Sequence, residues 1–135
     1  IKALKSNLSI IASDGSAYSL ADRSEGYLPH PRSFGCFPRV LSHYVREKNI
    51  LGLEEAVKKM TALPSLKAGL PYRGVIRQGF FADITIFNPD TVQDMASLEN
   101  PFQYAQGINS VIINGQVALL KGEIKNSGLG QIITG

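Results

Sequence analysis

The feature that most limits what this chain can fold into is a short apolar run that ends in an acid. Leu8-Ser9-Ile10-Ile11-Ala12 stops at Ser13-Asp14-Gly15, and a polar loop follows. A run of this length, β-branched at Ile10 and Ile11, suits a strand covered on both faces of a parallel sheet. A parallel strand that closes on a carboxylate delivers it to the C-terminal rim of an α/β barrel, where such folds keep their chemistry. Gly15 would let the backbone turn sharply past the acid. The same three residues also suit an ordinary turn, with Asp14 capping its own loop.

Residues 15–36 hold two Pro, three Gly and several Ser, and read as a long loop of the functional or disordered kind. Pro38 is placed to open a helix over residues 38–48, with Val40, Leu41, Tyr44 and Val45 on one face. Residues 53–62 predict a second helix, because Leu53, Ala56, Val57 and Met60 follow the i, i+3, i+4, i+7 spacing of a core stripe. On its wet side Glu54–Lys58 and Glu55–Lys59 are spaced to pair, each for about 0.3 kcal/mol. Pro64 should end that helix and begin one more turn, closing near Gly69.

The pattern changes near Leu70. Strands are predicted at Val75-Ile76, at residues 82–87, at Val111-Ile112-Ile113 and over residues 117–120. Asn114-Gly115 between the last two is the strongest short signal for a type I′ hairpin. Lys121-Gly122-Glu123 marks a further turn, and residues 88–107 are a long excursion with turn signals at Asn88-Pro89-Asp90 and Asn100-Pro101. The order is strand, rim loop, helices, then a small β unit. The opening strand has no parallel neighbour in the sequence, and a few short strands close a core poorly. Both halves call for partners outside the chain, which begins at Ile1 without an initiator Met, and the layout is that of a segment from a longer protein.

Composition narrows the function classes. Of 135 residues 44% are hydrophobic, and 14 basic against 11 acidic residues give a net charge of +3. That is globular composition, with no apolar stretch near the ~18 residues of a membrane span. Lys58-Lys59 is the only adjacent basic pair and no basic stripe carries interleaved aromatics, which argues against a nucleic-acid partner. A single cysteine excludes an internal disulfide and suits a reducing, cytoplasmic compartment.

Several stretches together resemble one family. They are Ser13-Asp14-Gly15, His30-Pro31-Arg32-Ser33-Phe34-Gly35, Phe37-Pro38-Arg39-Val40-Leu41 and Tyr44-Val45-Arg46-Glu47. Leu53-Glu54-Glu55-Ala56-Val57-Lys58-Lys59-Met60-Thr61, the glycine-rich Gly74-Val75-Ile76-Arg77-Gln78-Gly79-Phe80-Phe81-Ala82-Asp83-Ile84, Asn100-Pro101-Phe102-Gln103-Tyr104, and Val111-Ile112-Ile113-Asn114-Gly115 extend the match. The pattern is similar to the N-acyl-D-amino-acid deacylases, or D-aminoacylases, of the amidohydrolase superfamily. Cys36 departs from it, standing where a Thr or other small polar residue is expected.

The resemblance implies a (β/α)8 barrel joined to a small β-sandwich. Residues 1–70 would supply the last barrel strand and closing helices, and residues 71–135 the C-terminal share of the sandwich. It implies a zinc-dependent hydrolase that cleaves the amide of N-acyl-D-amino acids. Asp14 would face the metal-bound water, take its proton during attack and give it to the departing amine, with at most a weak bond to the metal itself. Arg32 would bind the substrate carboxylate and His30 would line the pocket. The remaining superfamily ligands, a His-x-His pair and later histidines, are absent from a sequence with two histidines. Zinc is therefore expected in the full-length parent and not on this chain alone, which should be inactive by itself.

The partners implied are the small-molecule substrate and the rest of the parent chain, and exposed core surfaces would also let copies associate. Other residues read as structural: His43 as a satisfied helix histidine, Ser13 as a loop brace, Asp83 as a hydrogen-bonded acid in the β unit, and Cys36 as an inert thiol. Two other classes fit the pattern less well. One is a non-catalytic interaction protein on the same scaffold; the other is a free-standing β-rich binding module with a helical cap.

Overall fold

The computed structural model describes residues 1–23 and 26–133. The chain forms a helical part followed by an antiparallel sheet. A short helix, α1 (Lys2–Lys5), precedes an irregular segment, and a 3-10 turn (Leu20–Asp22) lies in the loop beyond it. Helix α2 (Arg32–Arg39) runs directly into a π-helical segment (Val40–Glu47), and α3 (Leu53–Met60) and α4 (Ala62–Lys67) follow. The sheet holds β1 (Ile84–Phe87), β2 (Ile108–Ile113), β3 (Gln116–Leu120) and β4 (Glu123–Ile124), in that spatial order.

The run 8–12 forms no strand, contrary to the sequence expectation, and Leu8 lies in a turn. A parallel strand exists only by pairing with a neighbour, and none is present among the described residues. A single long-range backbone bond, Ile11 N–H to Lys59 O at 3.0 Å, ties the run to α3. Leu8 is 98% exposed and Ile10 is also largely exposed, so only part of the apolar run finds a core.

The first long helix begins at Arg32, not at Pro38. Pro31 takes a helical φ of −52°, and its carbonyl accepts from Phe34 N at 3.0 Å and Gly35 N at 2.9 Å. Pro38 is then interior, where it can donate no bond to the preceding turn. The chain widens to π geometry just after it, as shown by Lys48 N–H donating to His43 O at 2.9 Å. The predicted break at Pro64 falls earlier, at Thr61, whose φ of −128° and ψ of −80° are not helical. Pro64 then occupies the first turn of α4, where its missing N–H is tolerated.

Val40, Leu51 and Ala56 form the buried centre of the helical part, packed by Leu4, Ile11, Tyr44, Val45, Ile50 and Met60. The core stripe of α3 is as its spacing predicts. Its wet side is as expected only in part: Glu55 and Lys59 pair at 3.7 Å, but Lys59 is completely buried, and Lys58 meets Glu55 at 3.6 Å in place of Glu54.

In the sheet, Val75-Ile76 stays unpaired, with Ile76 exposed, and so is not a strand. The Asn114-Gly115 hairpin is present, joining Ile113 to Gln116 with φ of +50° and +80° at the two turn residues, as a type I′ turn requires. Lys121 and Gly122, at +51° and +83°, repeat the device between Leu120 and Glu123. Asp83 secures the first hairpin: its Oδ1 accepts from Asn114 N at 2.8 Å and its Oδ2 from the guanidinium of Arg73. The second Arg73 nitrogen donates to Asn114 Oδ1 at 2.8 Å.

The excursion between β1 and β2 closes on itself through paired backbone bonds between Gln93 and Gln106. It then returns to the helices. Arg46 donates to Pro89 O at 3.1 Å, Val92 O at 2.7 Å and Gln93 Oε1 at 2.7 Å.

Candidate active site

Asp14 has a left-handed backbone, with φ of +48°. Gly15, which the sequence marked as the point of freedom, does not have positive φ. Its requirement is space, because a Cβ there would lie 2.9 Å from Ser33 Cα. The close approach of Gly15 to α2 leaves Asp14 projecting outward, with its side chain 86% exposed. A non-glycine residue in the left-handed region is strained, and such strain concentrates where a side chain must be presented in a fixed direction.

The first turn of α2 supplies the partner. Arg32 Nη2 lies 3.0 Å from Asp14 Oδ2. The backbone N–H of Arg32 donates to His30 Nδ1 at 3.1 Å. With Nδ1 accepting, neutral His30 carries its proton on Nε2, and the imidazole is exposed. Thus the three site residues predicted from sequence are brought together: Asp14 touches Arg32, and Arg32 touches His30. Ser13 Oγ accepts from Gly15 N at 3.2 Å, which braces the turn.

The surroundings hold this loop in place. Cys36 lies one turn beyond Arg32, with Sγ 3.8 Å from Ala12 O. Burial pushes its thiol above the ordinary range, Asp94 pushes it further, and Arg32 opposes them. That is the opposite of an activated nucleophile. His43 meets Glu47 through Nδ1 at 2.8 Å and is satisfied within its own helix.

Two residues shape the site without a sequence signal to mark them. Asp94, its side chain only 5% exposed, sits against Gly35, lies 3.7 Å from Arg39 and accepts from Ala96 N at 2.9 Å. Lys59 anchors the segment leading to Asp14. An aromatic cluster joins the loop to the excursion: Phe34 meets Phe102 with ring centroids 5.5 Å apart and Tyr104 at 6.0 Å, and Tyr18 packs on Phe34, Phe102 and Tyr27. The His30–Gly35 and Asn100–Tyr104 motifs, 65 or more residues apart, therefore share one contact.

Among the described residues, no three or more His, Cys, Asp or Glu side chains gather where they could hold a metal ion. The exposed acid and the imidazole are groups that can take or give a proton, and the adjacent guanidinium can bind an anion.

Comparison with known proteins agrees with these motifs. The D-aminoacylase of Alcaligenes xylosoxydans xylosoxydans is 51% identical over 87 residues, which is 64% of this chain and 18% of that enzyme. A D-aminoacylase structure that addresses its binuclear metal centre aligns with a TM-score of 0.71 at 44% identity, over 73% of this chain and 21% of that one. The N-acyl-D-glutamate deacylase of Bordetella bronchiseptica, solved with zinc and a phosphonate mimic of the tetrahedral intermediate, aligns with a TM-score of 0.66 at 47% identity. That alignment covers 67% of this chain and 19% of the deacylase. The chain thus spans about a fifth of the length of the relatives it matches. The amidohydrolase family profile matches residues 14–119, beginning at the acid itself. The chain belongs to the amidohydrolase family, in its D-aminoacylase branch.

Proposed function

We propose that this chain is the closing portion of a larger hydrolase that cleaves the amide bond of N-acyl-D-amino acids, giving a carboxylate and a D-amino acid. The observation that carries the proposal is the contact of Asp14 with Arg32, a projecting acid beside a guanidinium, on a chain of this family.

Asp14 acts as base and then as acid. Its free carboxylate oxygen accepts a proton from water as the water oxygen bonds to the amide carbon. The same proton passes to the amide nitrogen as the C–N bond breaks, so that the amine leaves neutral. Arg32 binds the α-carboxylate of the substrate through two parallel N–H bonds. His30 offers its Nε2 proton to a substrate oxygen.

Among the described residues no group of three or more His, Cys, Asp or Glu gathers to hold zinc, and of the three residues at the site Arg32 offers no lone pair to a metal. In the complete hydrolase zinc would be held mainly by residues beyond these 135, to which Asp14 could add one oxygen.

The test is Asp14→Asn in the complete hydrolase, assayed by amine release from N-acetyl-D-amino acids. Loss of general acid–base chemistry predicts a fall in kcat of about 10²- to 10⁴-fold. Because the side chain is exposed, the melting temperature should not move. A variant with full turnover would refute the assignment.

A further inference from the structure

Lys59 is a buried charge that the proposed chemistry does not use. Its side chain is 0% exposed on α3. The ammonium donates to Ser6 O at 2.5 Å, Ser9 O at 3.0 Å and Ser9 Oγ at 3.2 Å, and Glu55 Oε1 lies 3.7 Å away. A buried cation is costly unless it is paired and hydrogen-bonded, and an apolar residue of equal volume usually serves stability as well or better. What the cation holds is therefore the informative part.

All three acceptors lie in one short turn, residues 6–9. That turn is further closed by Ser9 Oγ against Ala3 O at 2.6 Å. Two residues later, Ile11 N–H donates to the carbonyl of Lys59 itself at 3.0 Å, and the Ile11 side chain packs on the helical core. Three residues beyond Ile11 stands Asp14. The segment is thus fixed at one end by both the side chain and the backbone of Lys59, and at the other by Gly15 against Ser33.

We infer that Lys59 is a positioning residue for Asp14: its ammonium sets the turn from which the acid is presented. This rests on the role proposed above for Asp14. It makes no contact with substrate and moves no proton. The run 8–12 has no strand neighbour among the described residues, and a lysine on α3 supplies a fixed point for it.

The experiment compares Lys59→Met, Ser9→Ala and Asp14→Asn with the parent in the complete hydrolase, per mole of folded enzyme. Displacing a reacting group by about 1 Å costs about 10²-fold in rate, so Lys59→Met should lower kcat towards that extent with KM held within about twofold. Amide exchange at Ile11 should quicken. Ser9→Ala, which keeps both carbonyl acceptors, should lower kcat about threefold at unchanged KM and unchanged melting temperature. A merely structural lysine would lower the melting temperature and leave kcat of the folded fraction as it was. Folded Lys59→Met with parental kcat overturns the inference. If Lys59→Met does not fold, Ser9→Ala decides: reduced kcat supports the positioning role, and parental kcat overturns it. Should Asp14→Asn stay fully active, the role of Asp14 itself fails and the inference falls with it.

Discussion

Replacing Gly35 with Ala pits helix propensity against packing, and the two give opposite signs. Gly35 lies inside α2, where Ala is favoured over Gly by about 1 kcal/mol. A Cβ on Gly35, however, would lie 1.9 Å from Asp94 Oδ1 and 2.5 Å from Asp94 Cγ. The carboxylate would have to move, and its side chain is only 5% exposed. Overpacking of this kind costs about 1–3 kcal/mol. Displacing the carboxylate also breaks its bond to Ala96 N, a charged-acceptor bond that contributes about 1.5–3 kcal/mol. Against the propensity gain, Gly35→Ala should destabilise by about 3 kcal/mol. The assay is urea unfolding followed by far-UV circular dichroism and by the intrinsic fluorescence of the tyrosines clustered with Phe34. A variant equal to or more stable than the parent would show that the excursion does not press its carboxylate onto α2, and the reasoning would be wrong.

Gly115→Ala should lose about 1–2 kcal/mol through backbone strain alone, because its φ is +80° and no atom lies within 4 Å of the new methyl; calorimetry reads the change. Arg46→Ala removes three carbonyl and amide contacts to the excursion and should destabilise by about 2 kcal/mol, with proteolysis newly admitted within residues 88–107. Cys36 binds its proton more tightly folded than unfolded, so its contribution is intact at neutral pH and is lost as pH rises through the folded thiol's range. Stability should fall more steeply at alkaline pH in the parent than in Cys36→Ser, measured by urea midpoints across that range.

The parts of this fold that were legible in the sequence are those decided by neighbours in the chain. Asn114-Gly115 needs two left-handed residues in succession, and the pair that tolerates them announces the turn. The α3 stripe follows from spacing alone. Lys59 was misread because its acceptors, Ser6 and Ser9, lie some 50 residues upstream, and no periodicity distinguishes a lysine that meets them from a solvated one. The run 8–12 looks like a strand because its composition suits one, but pairing is a property of the partner, and none lies among the described residues. Two prolines could each open α2; Pro31 does so because its carbonyl meets the amides of Phe34 and Gly35. For the site, Asp14, Arg32 and His30 were each visible as residue types on one loop. Their mutual contacts were not, since the fold of the 17 residues between Asp14 and Arg32 decides them. Asp94 was invisible, being an acid in a polar excursion whose burial depends on a glycine 59 positions earlier.

The proposed function divides the catalytic site, with Asp14 as the proton-handling acid and the rest of the machinery on other parts of the complete hydrolase. Purified as 135 residues, dialysed against zinc and supplied with N-acetyl-D-amino acids, the chain should retain no stoichiometric metal and release no amine. Bound zinc at one equivalent together with measurable turnover would contradict it.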